Sequence, residues 1–187
     1  MNRFPFPDKE NSMEDLKRDY VFGKIEPGQV EAVFEDAWSV GGAEAKRFIE
    51  EYGGCGYIDM LEVFREKGFT VITKDVDYIV GKIRYFCEYT SRKNKLKIYK
   101  KSVELWCEEN QFSYEEGLNV ILCHEYFHYL ECHKIGVVSG RCQVPMLRLG
   151  RVCLGRTGVP SLSEIAANAF ANTCFELLTD RKKAANL

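Results

Sequence analysis

The stretch CHEYFHYLE, residues 123–131, decides how the rest of the chain is interpreted. It holds two of the chain's three histidines, His124 and His128, and Glu125 directly follows the first of them. In an α-helix, residues four apart lie on the same face, one turn from each other. The two imidazoles can therefore converge on one metal ion. Glu125 lies roughly 100° further round the helix, beside the metal and not on it.

The order His-Glu-x-x-His predicts a zinc hydrolase site. His124 and His128 are its ligands, and Glu125 is placed to take a proton from water whose pKa zinc lowers to about 7. The alternative is a surface helix that carries two ordinary histidines. Apolar residues at 121–123 run straight into the motif, which favours a mostly buried helix and the zinc interpretation.

Catalytic zinc usually has three protein ligands and one open position, so a third ligand is needed. His133 is turned away from the ligand face, and Glu131 lies a further turn along the same helix. Glu164, near the start of the last predicted helix, is the best candidate, because the alanines around it let two helices approach closely. Ser161 and Glu164 also match a capping box, so this carboxylate has a competing role as a helix cap.

Patterns of apolar and turn-forming residues predict an α+β fold. A small antiparallel sheet, including a hairpin of the last two strands, would pack on the HExxH helix, with the C-terminal helix alongside. Residues 1–40 are predicted to be an N-terminal arm or irregular extension, and 41–187 the domain itself. The expected elements are helices over 43–52, 57–68, 113–136 and from about 161 to 180, strands over 69–73, 83–90 and 95–101, and a long basic loop over 137–160.

Composition is typical of a soluble globular protein, since 45% of the 187 residues are hydrophobic. The net charge of −2 gives no sign of direct nucleic-acid binding. We expect a cytoplasmic protein without a membrane span, because the sequence shows no apolar export segment and no window of about 18 apolar residues. The eight cysteines form no CxxC pair, which favours free thiols over disulfides. The alternative for them is a structural zinc site at Cys132, Cys142 and Cys153.

The HExxH motif followed by EIAANAFA, residues 164–171, resembles the ImmA/IrrE family of zinc metallopeptidases. The upstream order of a helix, a second helix and a strand over 45–72 is similar as well. The resemblance spans roughly residues 41–178. It implies a zincin-like fold, with Zn²⁺ bound by two histidines and a downstream glutamate.

Carried over residue by residue, the resemblance implies zinc ligands at His124, His128 and Glu164, and a general base at Glu125. It also implies a substrate class, namely DNA-binding repressors of phages, mobile elements or stress responses. The sequence departs from the family where Phe127 stands in place of the usual glycine, and where Ala166 stands in place of a second acid. These departures bear on specificity and on activity.

The expected function is therefore zinc-dependent hydrolysis of a peptide bond in a regulatory protein, with a transcriptional repressor as the partner. Strand 95–101, expected at a sheet edge, is the candidate for binding extended substrate. One alternative is a metal-containing regulatory protein that docks its partner without proteolysis. Another is a zincin-derived fold that holds no metal. Candidates for a second donor to the oxyanion are the tyrosines and Arg141, Arg148, Arg151 and Arg156.

Overall fold

The fold is α+β, as the sequence predicts, in a computed structural model that describes residues 5–53, 57–149 and 152–185. The helices are α1 Lys9–Lys17, α2 Val30–Tyr52, α3 Met60–Glu66, α4 Lys100–Asn110, α5 Tyr114–Leu130 and α6 Ser161–Ala185. The strands are β1 Thr70–Lys74, β2 Tyr78–Val80, β3 Ile83–Tyr85, β4 Cys87–Thr90, β5 Lys95–Tyr99, β6 Gln143–Leu149 and β7 Val152–Gly158.

The long helices α2 and α6 pack closely side by side, and a glycine makes the close approach possible. A Cβ atom added at Gly41 of α2 would lie 2.0 Å from the carbonyl oxygen of Ala166 and 2.9 Å from the Cβ of Ala169. Both alanines are fully buried in the core. The small residues of α6 therefore accommodate α2, a contact that the sequence had not indicated.

The main sheet has the strand order β1-β5-β4, and it is mixed. The predicted hairpin is confirmed for β4 and β5, with antiparallel pairing of Cys87 with Ile98. The predicted strand 83–90 is divided in two, because residues 83–85 form β3 and pair with β2 in a separate sheet. However, β1 pairs with β5 in parallel, so the prediction of a purely antiparallel sheet is wrong. The expectation that strand 95–101 lies at an edge is also wrong, because β5 is the central strand. The edges are β1 and β4.

The N-terminal part of the chain is helical and packed into the core, which corrects the prediction of an irregular arm over 1–40. Helix α1 lies within it, and Leu16 and Val21 are fully buried. The predicted boundary at residue 40 falls inside α2. Residues 1–4 lie outside the described ranges.

Helix α5 carries the HExxH motif and begins as predicted. The Ser113 hydroxyl accepts from the backbone N–H of Glu116, whose carboxylate binds back to the Ser113 backbone, which is a capping box. After Leu130 the helix widens into a π-helical turn over Glu131–Ile135, and Gly136 ends it at φ +77°.

The predicted loop over 137–160 is wrong for most of its length, since β6 and β7 pair there as an antiparallel hairpin.

None of the helices in the described ranges is both long and apolar enough to cross a membrane. The seven described cysteines are free thiols, four of them buried, and Cys55 lies outside the described residues. Cys132, Cys142 and Cys153 are not among the groups that could hold a metal ion in the part of the chain described.

Candidate metal centre

His124 and His128 lie together on one face of α5, as their spacing predicts. Their ring centroids are 5.1 Å apart, and the rings are nearly perpendicular, at 76°. Both side chains are mostly covered, with 12% and 21% of their surface exposed. Two imidazoles held this way can present one nitrogen each to a common point.

Glu164 completes the group from the first turn of α6. Its carboxylate oxygens lie 3.3 Å from Nε2 of His124 and 3.6 Å from Nε2 of His128. Ligand atoms about 2.0–2.2 Å from a tetrahedral zinc ion are about 3.4 Å from one another, so these separations fit a metal site. His124, His128 and Glu164 form the group of three that could hold a metal ion within the described ranges, with ligand atoms within 4.8 Å.

The competing role of Glu164 as a helix cap is filled by another residue. The backbone N–H of Ser161, at the start of α6, donates to the carboxylate of Asp19 at 2.8 Å. The Ser161 hydroxyl is buried and has no partner among the described residues, so the predicted capping box does not form. Because Asp19 satisfies this end of the helix, the Glu164 carboxylate is left for the two histidines.

Glu131 supports the site in a way that the sequence reasoning missed. The residue is buried, and its carboxylate accepts from Nδ1 of His128 at 2.9 Å. The other oxygen accepts from the backbone N–H of Val138 at 2.8 Å and from the hydroxyl of Ser163 at 2.6 Å. Because a carboxylate can only accept, the proton of His128 is held on Nδ1 and Nε2 is free for a metal. The sequence signal that could have revealed this role is an acidic residue three positions after the second histidine of the motif.

Glu125 lies beside the ligand group and outside it. Burial raises the pKa of its carboxyl, and the charge of Glu164 adds to this, against the opposing charges of the two histidines. The thiol of Cys87, on the edge strand β4, is close enough that burial and the charge of Glu125 both raise its pKa. The general-base candidate therefore lies near both the ligand group and β4.

The charges of Glu164 and His128 each favour the charged form of the other group. Loss of solvent works against the charged form of Glu164, but the hydrogen bond and charge of His124, together with the charge of His128, lower its pKa to about 2. Burial favours neutral His128, but the hydrogen bond to Glu131 and the nearby carboxylates prevail and raise the pKa of that imidazole. A bound cation would take the place of the proton on His128.

An aromatic cluster borders the site on the side of His124. Phe6 stacks on the His124 ring, with centroids 5.3 Å apart and an angle of 15° between the rings. The same phenylalanine contacts Trp106 at 5.5 Å, and Trp106 contacts Phe86 at 5.8 Å. Nδ1 of His124 is buried and has no hydrogen-bond partner within the described ranges. The N-terminal segment is thus part of the site's surroundings, which the sequence had not indicated.

Phe127 does not enter the site. It is fully buried and packs against Phe170 of α6, with ring centroids 5.8 Å apart. Where the resembled family has a glycine, this chain uses the larger side chain to fill the core between α5 and α6. The substitution leaves the candidate ligands together.

Of the four arginines predicted as candidate oxyanion donors, the structure describes the side chains of two. Arg141 makes a two-point ion pair with Asp36, at 2.7 and 2.9 Å, and Arg156 donates to the carbonyl of Gln143. Both are therefore paired with groups other than the three candidate ligands. Arg151 lies outside the described residues, and the side chain of Arg148 is not described.

The fold and the site together define an α+β protein with a His-His-Glu group that could hold a metal ion. No protein-family model, curated protein or solved structure matches the chain. The resemblance to the ImmA/IrrE family therefore stays a prediction from the sequence.

Proposed function

We propose that the protein is a zinc-dependent endopeptidase of zincin-like architecture that hydrolyses a peptide bond in a regulatory protein. The observation that carries the proposal is the position of Glu164, within 3.3 and 3.6 Å of the two histidine Nε2 atoms. If α6 packed elsewhere, the HExxH motif would offer only its two histidines as ligands, and no third ligand would be present. Here a second helix brings the carboxylate that catalytic zinc sites of this type use.

The residues present fit zinc. Two imidazoles and one carboxylate form a ligand set that suits this metal, and three protein ligands leave a coordination position open. When bound, zinc would polarise a peptide carbonyl and lower the pKa of water at the open position. Glu131 contributes by holding His128 in the tautomer and ring orientation that this binding needs.

Glu125 is the proposed general base and acid. Its carboxyl lies outside the ligand group, so it stays free to accept a proton from the attacking water. Once protonated, the same group can give that proton to the leaving amine. The burial that raises its pKa favours a carboxyl that holds a proton between these two steps.

The proposed place for the peptide substrate is the outer edge of β4, and not the central strand β5. The backbone N–H of Tyr99 donates to the carbonyl of Phe86, so Phe86 and alternate residues after it face β5. The backbone groups of Cys87 and Tyr89 consequently point away from the sheet. An extended chain could pair with this edge of the sheet near Glu125, giving main-chain recognition of a protein.

The sequence resemblance suggests the identity of that protein, a cytoplasmic DNA-binding repressor. Its cleavage would require contact with the repressor and no direct contact with nucleic acid. The alternative function is metal-dependent docking of the same partner without proteolysis. The two differ in their need for Glu125, because docking uses no proton transfer.

The test measures bound metal and cleavage in parallel. Wild-type protein, Glu164→Ala and Glu125→Gln would be dialysed, and bound metals quantified by mass spectrometry. We expect about one zinc per wild-type chain and per Glu125→Gln chain, and much less in Glu164→Ala. New protein N-termini would then be catalogued in cells that express each form. Cleavage by the wild type alone supports the peptidase.

Two results would oppose the proposal. Absence of metal from the wild-type protein, even after zinc is added, would rule out a zinc-dependent enzyme. Full metal content with an unchanged set of protein N-termini would favour docking, provided that Glu125→Gln keeps the biological effect.

A further inference from the structure

The ring of Phe6 lies against a candidate metal ligand. One face of its ring covers His124, a candidate metal ligand, in the offset stacked geometry that aromatic rings prefer. Its ring also contacts Trp106, and it is only half-buried. Like Phe22, it is one of the partly buried hydrophobic side chains that pack against the core.

Residues 5–8, around Phe6, belong to no helix or strand, and the chain bends at Phe6. Pro5 and Pro7 flank the phenylalanine, and Pro7 disfavours helical backbone at Phe6. Asp8 is extended, at φ −70° and ψ −177°. Neither proline has an N–H to donate to a neighbouring strand. Displacing the segment therefore breaks no hydrogen bond donated by the backbone nitrogen of Pro5 or Pro7.

Helix α1 fixes this segment in position. Asp8 caps the helix through the backbone N–H of Asn11, and Lys9 forms an ion pair with Glu35 of α2 at 2.7 Å. Leu16 anchors the far end in the core. Phe6 is thus held only three residues before an anchored helix. Its high effective concentration at the site follows from that short tether.

The surroundings of Phe6 have the chemistry of a side-chain pocket. Trp106 and Phe86 are uncharged and half-buried, and Phe86 directly precedes the edge strand β4. A substrate that pairs with β4 and brings its scissile bond to the ligand group would pass this point. Its nearest side chain would then compete for the surface that Phe6 covers.

From these contacts we propose that Phe6 fills, within its own chain, the substrate side-chain pocket formed by the His124 ring and Trp106. The pocket takes an aromatic or large apolar side chain next to the scissile bond, and residues 5–8 compete with the substrate for it. This inference rests on the proposed peptidase function. It adds the side-chain class of the substrate and an intramolecular competitor.

The test uses two peptide hydroxamates that are identical except for one side chain, benzyl in the first and methyl in the second. Their dissociation constants would be measured on the zinc-loaded full-length wild type, Phe6→Ala and Phe22→Ala. Phe22 is the matched control, a half-buried phenylalanine in the turn after α1. We expect Phe6→Ala to bind the benzyl compound about tenfold more tightly than the wild type does. The methyl compound should gain clearly less, and Phe22→Ala should match the wild type.

A second measurement needs no substitution at Phe6. Amide hydrogen exchange in the segment that includes Phe6 and Asp8 should become faster when the wild type binds the benzyl compound, because the segment is displaced. Equal affinities in all three proteins and unchanged exchange would overturn the pocket assignment and leave the peptidase standing. Failure of both compounds to bind any zinc-loaded form would overturn the pocket together with the peptidase.

Discussion

Glu131 accepts a hydrogen bond from Nδ1 of His128 at 2.9 Å, and so links the second histidine of the motif to the start of α6. The link runs through Ser163, whose hydroxyl donates to the same carboxylate at 2.6 Å. Ser163 is the residue before Glu164. One buried carboxylate therefore fixes the positions of two candidate ligands that lie on different helices.

Replacing Glu131 with glutamine should weaken metal binding without removing a ligand. An amide can still fill the space, but it binds Nδ1–H less strongly and can offer an NH₂ group where Val138 and Ser163 both donate. We expect zinc affinity to fall by about 10- to 100-fold, measured by competition with a chromophoric chelator. Glu176→Gln, at an exposed position of α6, is the control. Equal affinities in the two variants would rule out a supporting role for Glu131.

Zinc itself should stabilise the fold, because its ligands come from α5 and α6 and the unfolded chain cannot keep them together. At a free zinc concentration of 100 times the dissociation constant, the free energy of unfolding should rise by about 2.7 kcal/mol. For a chain of this size, each kcal/mol raises the melting temperature by about 2–4 °C. Calorimetry with zinc and then with excess chelator would measure the shift. Glu164→Ala should show little of it, and a full shift in that variant would place the metal elsewhere.

The HExxH face and the ends of its helix could be predicted from the sequence because they depend on local spacing. His124 and His128 share a face at any i, i+4 spacing in a helix, and Ser113 with Glu116 marks the helix start. Glu164 could also be predicted as a candidate ligand, because it lies near the start of a predicted helix and is surrounded by alanines. The hairpin of β4 and β5 is likewise local.

The rest depends on contacts between distant segments, which local patterns do not encode. Parallel pairing of β1 with β5 made β5 central, although its lysines suggested an edge. Helix α1 buries only Ser12 and Leu16, too few for an amphipathic pattern. Glycines and a proline within the segment favoured a loop, so the hairpin of β6 and β7 was not predicted. The contacts of Phe6 with His124 and of Asp19 with Ser161 join residues more than a hundred positions apart.

Asp19 should contribute to stability as the cap of α6, although it lies far away in sequence. Its carboxylate accepts from the backbone N–H groups of Ser161, at 2.8 Å, and of Val21, at 3.0 Å. Losing a capping carboxylate typically costs about 0.5–2 kcal/mol, so Asp19→Ala should lower the free energy of unfolding in urea by about this amount. Asp15→Ala, which removes an exposed ion pair with Arg18, is the control. An equal effect of the two substitutions would show that Asp19 does not act as a cap.

Neighbouring glycines in α2 offer the sharpest test of how α6 is positioned. At Gly41 a methyl group would meet the backbone oxygen of Ala166 at 2.0 Å, and neither helix can give way locally. Overpacking of this kind costs about 1–3 kcal/mol. At Gly42 the nearest atom is the Thr173 hydroxyl oxygen at 3.5 Å, an ordinary contact. There, alanine should gain up to about 1 kcal/mol, because it favours the helix over glycine.

Gly41→Ala should therefore destabilise the protein, and Gly42→Ala should leave it unchanged or stabilise it, in urea unfolding of the two variants. Because Ala166 lies two residues after Glu164, a shift of α6 at Gly41 would also move a candidate ligand. Zinc affinity should then fall in Gly41→Ala and stay the same in Gly42→Ala. If both variants unfolded like the wild type, α2 and α6 would not approach as closely as the structure has them, and the position of Glu164 would lose its support.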